Sequence, residues 1–221
     1  MARESGTYRD RDEAGDVLAN LLERYRGHPA VVLAIPNGGV PVGVKIRAAL
    51  GADFGVLVVR KLHIPWNREA GFGAVAPDGT VAFNEGVRQA LGLSDAEEMA
   101  VVEAEEAEIA RRIAAYGAHE LPPLKGLQAI LVDDGLASGY SMLAAVHFVR
   151  RRQPSKLIVA VPTASREAVH LVGRFVDALV CPNVRGGPVF AVADAYREWR
   201  DLGDDEVVNL LQTIRHEGLT R

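Results

Sequence analysis

Ile130-Leu131-Val132-Asp133-Asp134-Gly135-Leu136-Ala137-Ser138-Gly139-Tyr140-Ser141 is the stretch on which the fold turns. The apolar run from Leu127 to Val132 suits a strand buried on both faces, the habit of parallel sheets. Two carboxylates and a small-residue glycine turn come next, and the spacing then predicts a helix over Ser141 to Arg152. Moving outward, the same alternation recurs. Downstream lie a strand over Leu157 to Val161, a helix from about Ser165 and a last apolar run over Ala178 to Val180. Upstream lie a strand over Ala30 to Ile35, the break Pro36-Asn37-Gly38-Gly39, a helix to Leu50 with Pro41 near its start, and a second apolar run over Phe54 to Val59. Strands alternating with helices predict an α/β fold, a doubly wound and mainly parallel sheet with a Rossmann-like core over about 28–182.

The flanks complete a single domain over 1–221. Ala14, Val17, Leu18, Leu21, Leu22 and Tyr25 form one face of a helix that Gly27 ends. Ser94 and Glu97 make a capping box for a long helix whose stripe runs Met99, Val102, Ile109, Ile113 and Tyr116, with Glu108 and Arg112 as a supporting pair. Residues 62–80 carry Pro65, Gly71, Gly73, Pro77 and Gly79 and are expected to form a long flexible loop, with Asp78-Gly79 as a hairpin turn. A C-terminal lobe over about 183–221, with a final helix near Asp205 to Arg215, is expected to form a small hood over the sheet. Tyr116 is expected in the core, and Arg150-Arg151-Arg152 at a solvated helix end whose dipole they complement.

Composition narrows the classes of function. Apolar residues make up 48% and charged residues 24% of the 221, an ordinary globular balance. The formal charge of −4 offers no uniformly basic face, which argues against nucleic acid. The single cysteine, Cys181, sits at an expected strand end and can form neither an internal disulfide nor a zinc site alone, so a cytoplasmic setting is expected. A secretory leader and a membrane span are likewise not expected. The histidines show no metal-binding spacing, and no phosphate-loop lysine motif occurs. Gly71-Phe72-Gly73-Ala74-Val75-Ala76 matches a dinucleotide fingerprint in letters only, because it does not follow a buried strand and Pro77-Asp78-Gly79 stops any helix after it.

Ligands of open α/β sheets bind beyond the carboxyl ends of the strands, so the turn at Asp133 is the first candidate site. The backbone N–H groups of residues 137–141, the helix N-terminus behind them and the hydroxyls of Ser138 and Ser141 would cradle a phosphate dianion. Asp133 and Asp134 would accept hydrogen bonds from vicinal hydroxyls or help hold a divalent cation through water. A phosphate with a diol nearby describes a sugar phosphate.

This segment resembles the phosphoribosyl pyrophosphate signature of type I phosphoribosyltransferases: apolar residues, two acidic residues, then a hydroxyl-Gly-x-hydroxyl loop. The resemblance implies that Asp133 and Asp134 bind the ribose 2- and 3-hydroxyls, while Ala137, Ser138, Gly139, Tyr140 and Ser141 wrap the 5-phosphate. Ala137 departs from the family, which often has Thr there or an Asp that acts on a purine. By the same resemblance Asn37, Gly38 and Gly39 bind pyrophosphate, Arg60 and Lys61 neutralise it as it leaves, and residues 62–80 close over the site with His63 and Arg68 at hand. The stretch from Arg60-Lys61 to Gly71-Phe72-Gly73-Ala74-Val75-Ala76 resembles a branch of this family whose acceptor is unassigned. The implied reaction is a Mg²⁺-dependent transfer of the phosphoribosyl group to a nitrogen nucleophile, a nucleobase or an amine, with the metal held through substrate and water. Asn183, Val184, Phe190, Tyr196 and Trp199 are candidates for base recognition, with packing of the lobe as the competing explanation. A homo-oligomer stays open. The alternatives are a regulatory protein that binds phosphoribosyl pyrophosphate without turning it over, and a hydrolase using the paired carboxylates.

Overall fold

The computed structural model describes residues 6–187 and 190–219; the side chains of residues 68, 69 and 216–219 fall outside that description, and with them the role expected of Arg68. In chain order the elements are α1 (Arg11–Leu21), β1 (Ala30–Ala34), α2 (Gly39–Leu50), β2 (Asp53–Val56), β3 (Arg60–Ile64), β4 (Asn67–Val75), β5 (Val81–Phe83), α3 (Glu85–Leu91) and α4 (Asp95–Tyr116). They continue as β6 (Gln128–Val132), α5 (Tyr140–Arg150), β7 (Lys156–Ala160), β8 (Thr163–Ser165), α6 (Arg166–Gly173), β9 (Ala178–Val180), β10 (Asn183–Arg185) and α7 (Asp204–Leu219).

The central sheet has the order β2-β1-β6-β7-β9, and every pairing in it is parallel. Alternation along each strand divides its side chains between two layers. Val31, Leu33, Ala129, Leu131, Leu157 and Val159 pack with Met142, Ala145 and Val149 of α5 and with Ala168 and Val172 of α6. Their neighbours Val32, Ile130, Val132, Ile158 and Ala160 pack instead with Leu18 of α1 and Val42 and Ile46 of α2. Burial on both faces is what the unbroken apolar runs require, and the doubly wound α/β sheet follows from it.

Residues 62–80 do not form the expected loop. They lie in an antiparallel ribbon, β3-β4-β5, with the three-residue turn Pro77-Asp78-Gly79 between its last two strands. Glycine misleads here because two of these glycines permit close packing rather than breaking the chain. A Cβ on Gly73 would stand 2.6 Å from the Ala82 carbonyl oxygen, and one on Gly71 would stand 2.6 Å from Cγ of Lys61. Leu62, Ile64, Phe72 and Val75 anchor the ribbon against Ile109 and Tyr116 of α4 and Val207 and Leu211 of α7. The short α3, capped by the Asn84 side chain, is an addition to the predicted elements.

The capping box of α4 forms as expected, and Glu108 meets Arg112 at 2.8 Å. Arg152 reaches Asp78 at 3.4 Å and Arg151 donates to the Thr80 hydroxyl at 2.8 Å, so the end of α5 is fastened to the ribbon rather than simply solvated. None of the described helices is long and apolar enough to cross a membrane.

Candidate functional site

At the carboxyl end of β6 the backbone passes from Val132 through Asp133 and Asp134 into the turn that opens α5. Gly139 is the N-cap of that helix, with φ 84°. Only glycine adopts this left-handed conformation at low cost, and having no side chain it supplies no capping acceptor, so the first amides of α5 stay directed into the turn. Strand β8 braces the turn from behind. Leu136 donates its amide to the Thr163 carbonyl at 3.0 Å, Ser165 returns its own amide to the Leu136 carbonyl at 2.9 Å, and the Ser165 hydroxyl donates to the Ala137 carbonyl at 2.7 Å.

A cavity of about 360 Å³ opens over this turn. Asp133 and residues 137–141 line it, together with Lys61, Gly71 and Gly73 of the ribbon. Ala137 and Ser138 are exposed, and Tyr140 and Ser141 are half-buried. A turn with amides and hydroxyls, a carboxylate and a lysine on one cavity can hold a phosphate ester that carries hydroxyl groups.

The acidic pair is asymmetric. Asp133 lines the cavity, and its Oδ1 accepts the amide of Asp134 at 2.8 Å. The Asp134 carboxylate instead turns towards the N-terminal helix, where Oδ2 accepts from Arg11 Nε at 2.9 Å. Burial, reinforced by the neighbouring charge of Asp134, raises Asp133 well above the ordinary carboxylate range. Burial raises Asp134 too, with Arg11 opposing it.

Not every predicted residue reaches the cavity. Arg60 and Lys61 are neighbours on a strand, so their side chains leave opposite faces. Lys61 lines the cavity, whereas Arg60 pairs with Glu105 of α4 at 2.8 Å, which corrects the expectation that both meet the leaving group. A register shift at Leu62/His63 brings His63 to within 4.0 Å of the same Glu105. The loop from Pro36 to Gly39 lies beside the acidic pair, not in the cavity. Its Pro36–Asn37 peptide is cis. The Asn37 side chain accepts from Arg112 at 3.0 Å and donates to the Leu202 carbonyl at 2.7 Å, with the Tyr116 hydroxyl 2.9 Å away. Gly39 donates its amide to the Ile35 carbonyl at 3.0 Å. The two glycines have a packing cause: a Cβ on Gly38 would overlap the Asp134 carboxylate, and one on Gly39 would stand 2.7 Å from the Val132 carbonyl oxygen.

Among the aromatic candidates, Tyr196 is buried and its hydroxyl donates to the Asp134 carbonyl at 2.6 Å. Trp199 carries the Arg11 guanidinium 4.0 Å from its ring centre, so this face of the indole is already covered. Asn183 bonds Thr163, and Val184 stays exposed. Cys181 is free and half-buried, and burial lifts its thiol to about 11. Arg11 is the residue that sequence reasoning missed. One signal existed, a cation in the first turn of a helix, where the macrodipole disfavours it.

A phosphoribosyl transferase domain model matches residues 8–172. The chain belongs to the phosphoribosyl transferase domain family. It is 36% identical over 209 residues to two Mycobacterium tuberculosis proteins, of strains CDC 1551 / Oshkosh and H37Rv, provisionally named phosphoribosyl transferases. That match covers 94% of this chain and 47% of each relative, so the chain spans about half the length of these curated relatives. The crystal structure of TT1426 from Thermus thermophilus is similar at a TM-score of 0.75 and 32% identity, covering 93% of this chain and 98% of that one. A protein of Aquifex aeolicus, AQ2163, shares the fold at a TM-score of 0.51 and 13% identity, covering 85% of each chain.

Proposed function

We propose that this family member binds phosphoribosyl pyrophosphate and transfers its phosphoribosyl group to a nitrogen nucleophile of a base or amine. The observation that carries the proposal is the convergence of Asp133, the open N-terminal turn of α5 and Lys61 on one cavity. The amides of residues 137–141, with the Ser138 and Ser141 hydroxyls, hold the 5-phosphate. Asp133 accepts from the ribose hydroxyls, which favours its ionised form and so opposes the upward shift of the unliganded site. Lys61 faces the negative charge that develops on the leaving group. In the step itself the nitrogen lone pair forms the bond to C1, the bond from C1 to pyrophosphate oxygen breaks with its electron pair, and the nitrogen yields its proton to solvent.

Asp133, the carboxylate that lines the cavity, would help hold Mg²⁺ through water. Among the described residues no group of three or more His, Cys, Asp or Glu could cage a metal. A hard cation held mainly by substrate oxygens and water needs no such cage. When bound it supplies charge neutralisation for the pyrophosphate.

The test is pyrophosphate release from phosphoribosyl pyrophosphate and Mg²⁺ in the presence of a panel of purine and pyrimidine bases and simple amines. Release that depends on one class of acceptor, and is lost in Lys61→Gln, supports transfer. Tight binding with no release from any acceptor favours a regulatory protein instead.

A further inference from the structure

The asymmetry of the acidic pair has a structural cause on the far side of Asp134, in a residue the cavity does not contain. Arg11 is nine-tenths buried, unusual for an arginine unless it is paired. Its polar and aromatic contacts point in different directions. Nε donates to Asp134 Oδ2 at 2.9 Å, one terminal nitrogen donates to the Arg200 carbonyl at 2.8 Å, and the guanidinium lies against the Trp199 ring at 4.0 Å. The Asp134 backbone is fixed in the same place, its carbonyl accepting from Tyr196 and its amide donating to Asp133 Oδ1. Gly38 closes the remaining side, since not even a methyl group fits between it and the Asp134 carboxylate. Asp134 is therefore gripped by the N-terminal helix, the segment from Tyr196 to Arg200, and the loop after β1.

We infer that Arg11 is a positioning residue: by holding the Asp134 side chain it fixes the Asp134 amide that orients the Asp133 carboxylate towards the ligand. The two acidic residues then divide the work. Asp133 meets the sugar, and Asp134 relays the placement set by Arg11. A planar guanidinium fits this task because one cation serves a carboxylate, a carbonyl and an aromatic face together. The inference rests on the function proposed above, because its readout is the affinity for phosphoribosyl pyrophosphate.

The experiment is calorimetric titration of the full chain with phosphoribosyl pyrophosphate and Mg²⁺, for wild type, Arg11→Lys, Arg11→Gln and Arg11→Gln/Asp134→Asn, with thermal unfolding of the same samples. Arg11→Gln is expected to weaken binding about tenfold or more, the scale of one misplaced charge-assisted hydrogen bond. Arg11→Lys should recover part of that loss, and the double variant should bind no more weakly than Arg11→Gln, because an amide at position 134 no longer needs a cation. Affinity within about twofold of wild type in Arg11→Gln, beside a lowered melting temperature, would overturn positioning and leave a purely structural ion pair. Should Arg11→Gln not fold, affinity within about twofold of wild type in Arg11→Lys would overturn it equally, because an ammonium cannot serve the carboxylate, the carbonyl and the aromatic face together. Wild type that binds nothing sinks the proposed function, and this inference with it; wild type that binds beside unaffected variants sinks this inference alone.

Discussion

Replacing Gly38 by alanine isolates one collision. Gly38 has φ −63° and ψ −32°, a right-handed conformation that alanine adopts freely, so the backbone raises no objection. The added Cβ would overlap the Asp134 carboxylate, with even the more distant oxygen, Oδ1, only 2.9 Å away. The carboxylate must swing out and release Arg11, whose side chain is 10% exposed against 14% for Asp134. Removing one partner of a buried pair costs about 3–5 kcal/mol; a displaced partner that regains some water should cost less, roughly 2–4 kcal/mol. For a chain of this size that lowers the melting temperature by roughly 5–15 °C. The assay is denaturant unfolding of Gly38→Ala, Asp134→Ala and the double variant. Once Asp134 is truncated the methyl group has room, so Gly38→Ala should then cost less than about 0.5 kcal/mol, and the coupling should exceed about 1.5 kcal/mol. Additive effects, or a single variant as stable as wild type, would refute the packing account of this glycine.

The same geometry sets other outcomes. Arg60→Gln should destabilise by about 1 kcal/mol through loss of the Glu105 pair while binding phosphoribosyl pyrophosphate as wild type does, whereas Lys61→Gln should bind it about tenfold more weakly; the reverse pattern in titration would reject the opposite-faces assignment. Burial works against ionisation of Asp204, but hydrogen bonds from Tyr116, Arg111 and Asn37 and the charge of Arg112 prevail and hold it at about 2. Its folded pKa lies below the ordinary value, so its stabilisation is full above about pH 4 and is lost as pH falls through 2. Melting between pH 5 and 2 should therefore fall more steeply for wild type than for Asp204→Asn. Tyr116→Phe, which keeps the ring and removes the hydroxyl near Asn37 and Asp204, should cost about 1–2 kcal/mol in denaturant unfolding. Gly139→Ala forces a left-handed alanine and should cost roughly 1–2 kcal/mol in the same measurement, with weaker phosphate binding in titration.

Much of the central sheet was legible because both its faces are buried. A strand such as β1, Ala30–Ala34, is then apolar at every position. The turn at Asp133 was legible because carboxylates and glycine after such a strand have few structural uses. The ribbon at 60–83 was not, since glycines that allow strands to approach look the same in sequence as glycines that break them. Nor could local spacing show that Arg60 would find Glu105, 45 positions away, or that Arg11 would reach Asp134, 123 positions away. Such pairs are set by how α1 and α4 dock, and docking leaves no short-range pattern. Asn37 shows the same limit, its polar side chain being taken up by Arg112 and Leu202.

The central claim is that the cavity at Asp133 takes phosphoribosyl pyrophosphate. The most direct test is calorimetric titration of wild type and Asp133→Asn with phosphoribosyl pyrophosphate, with and without Mg²⁺. The account predicts binding that requires Mg²⁺ and weakens by roughly 10- to 100-fold in the variant, the worth of hydrogen bonds to one charged group. Absence of binding at millimolar ligand, or equal binding in Asp133→Asn, would contradict it.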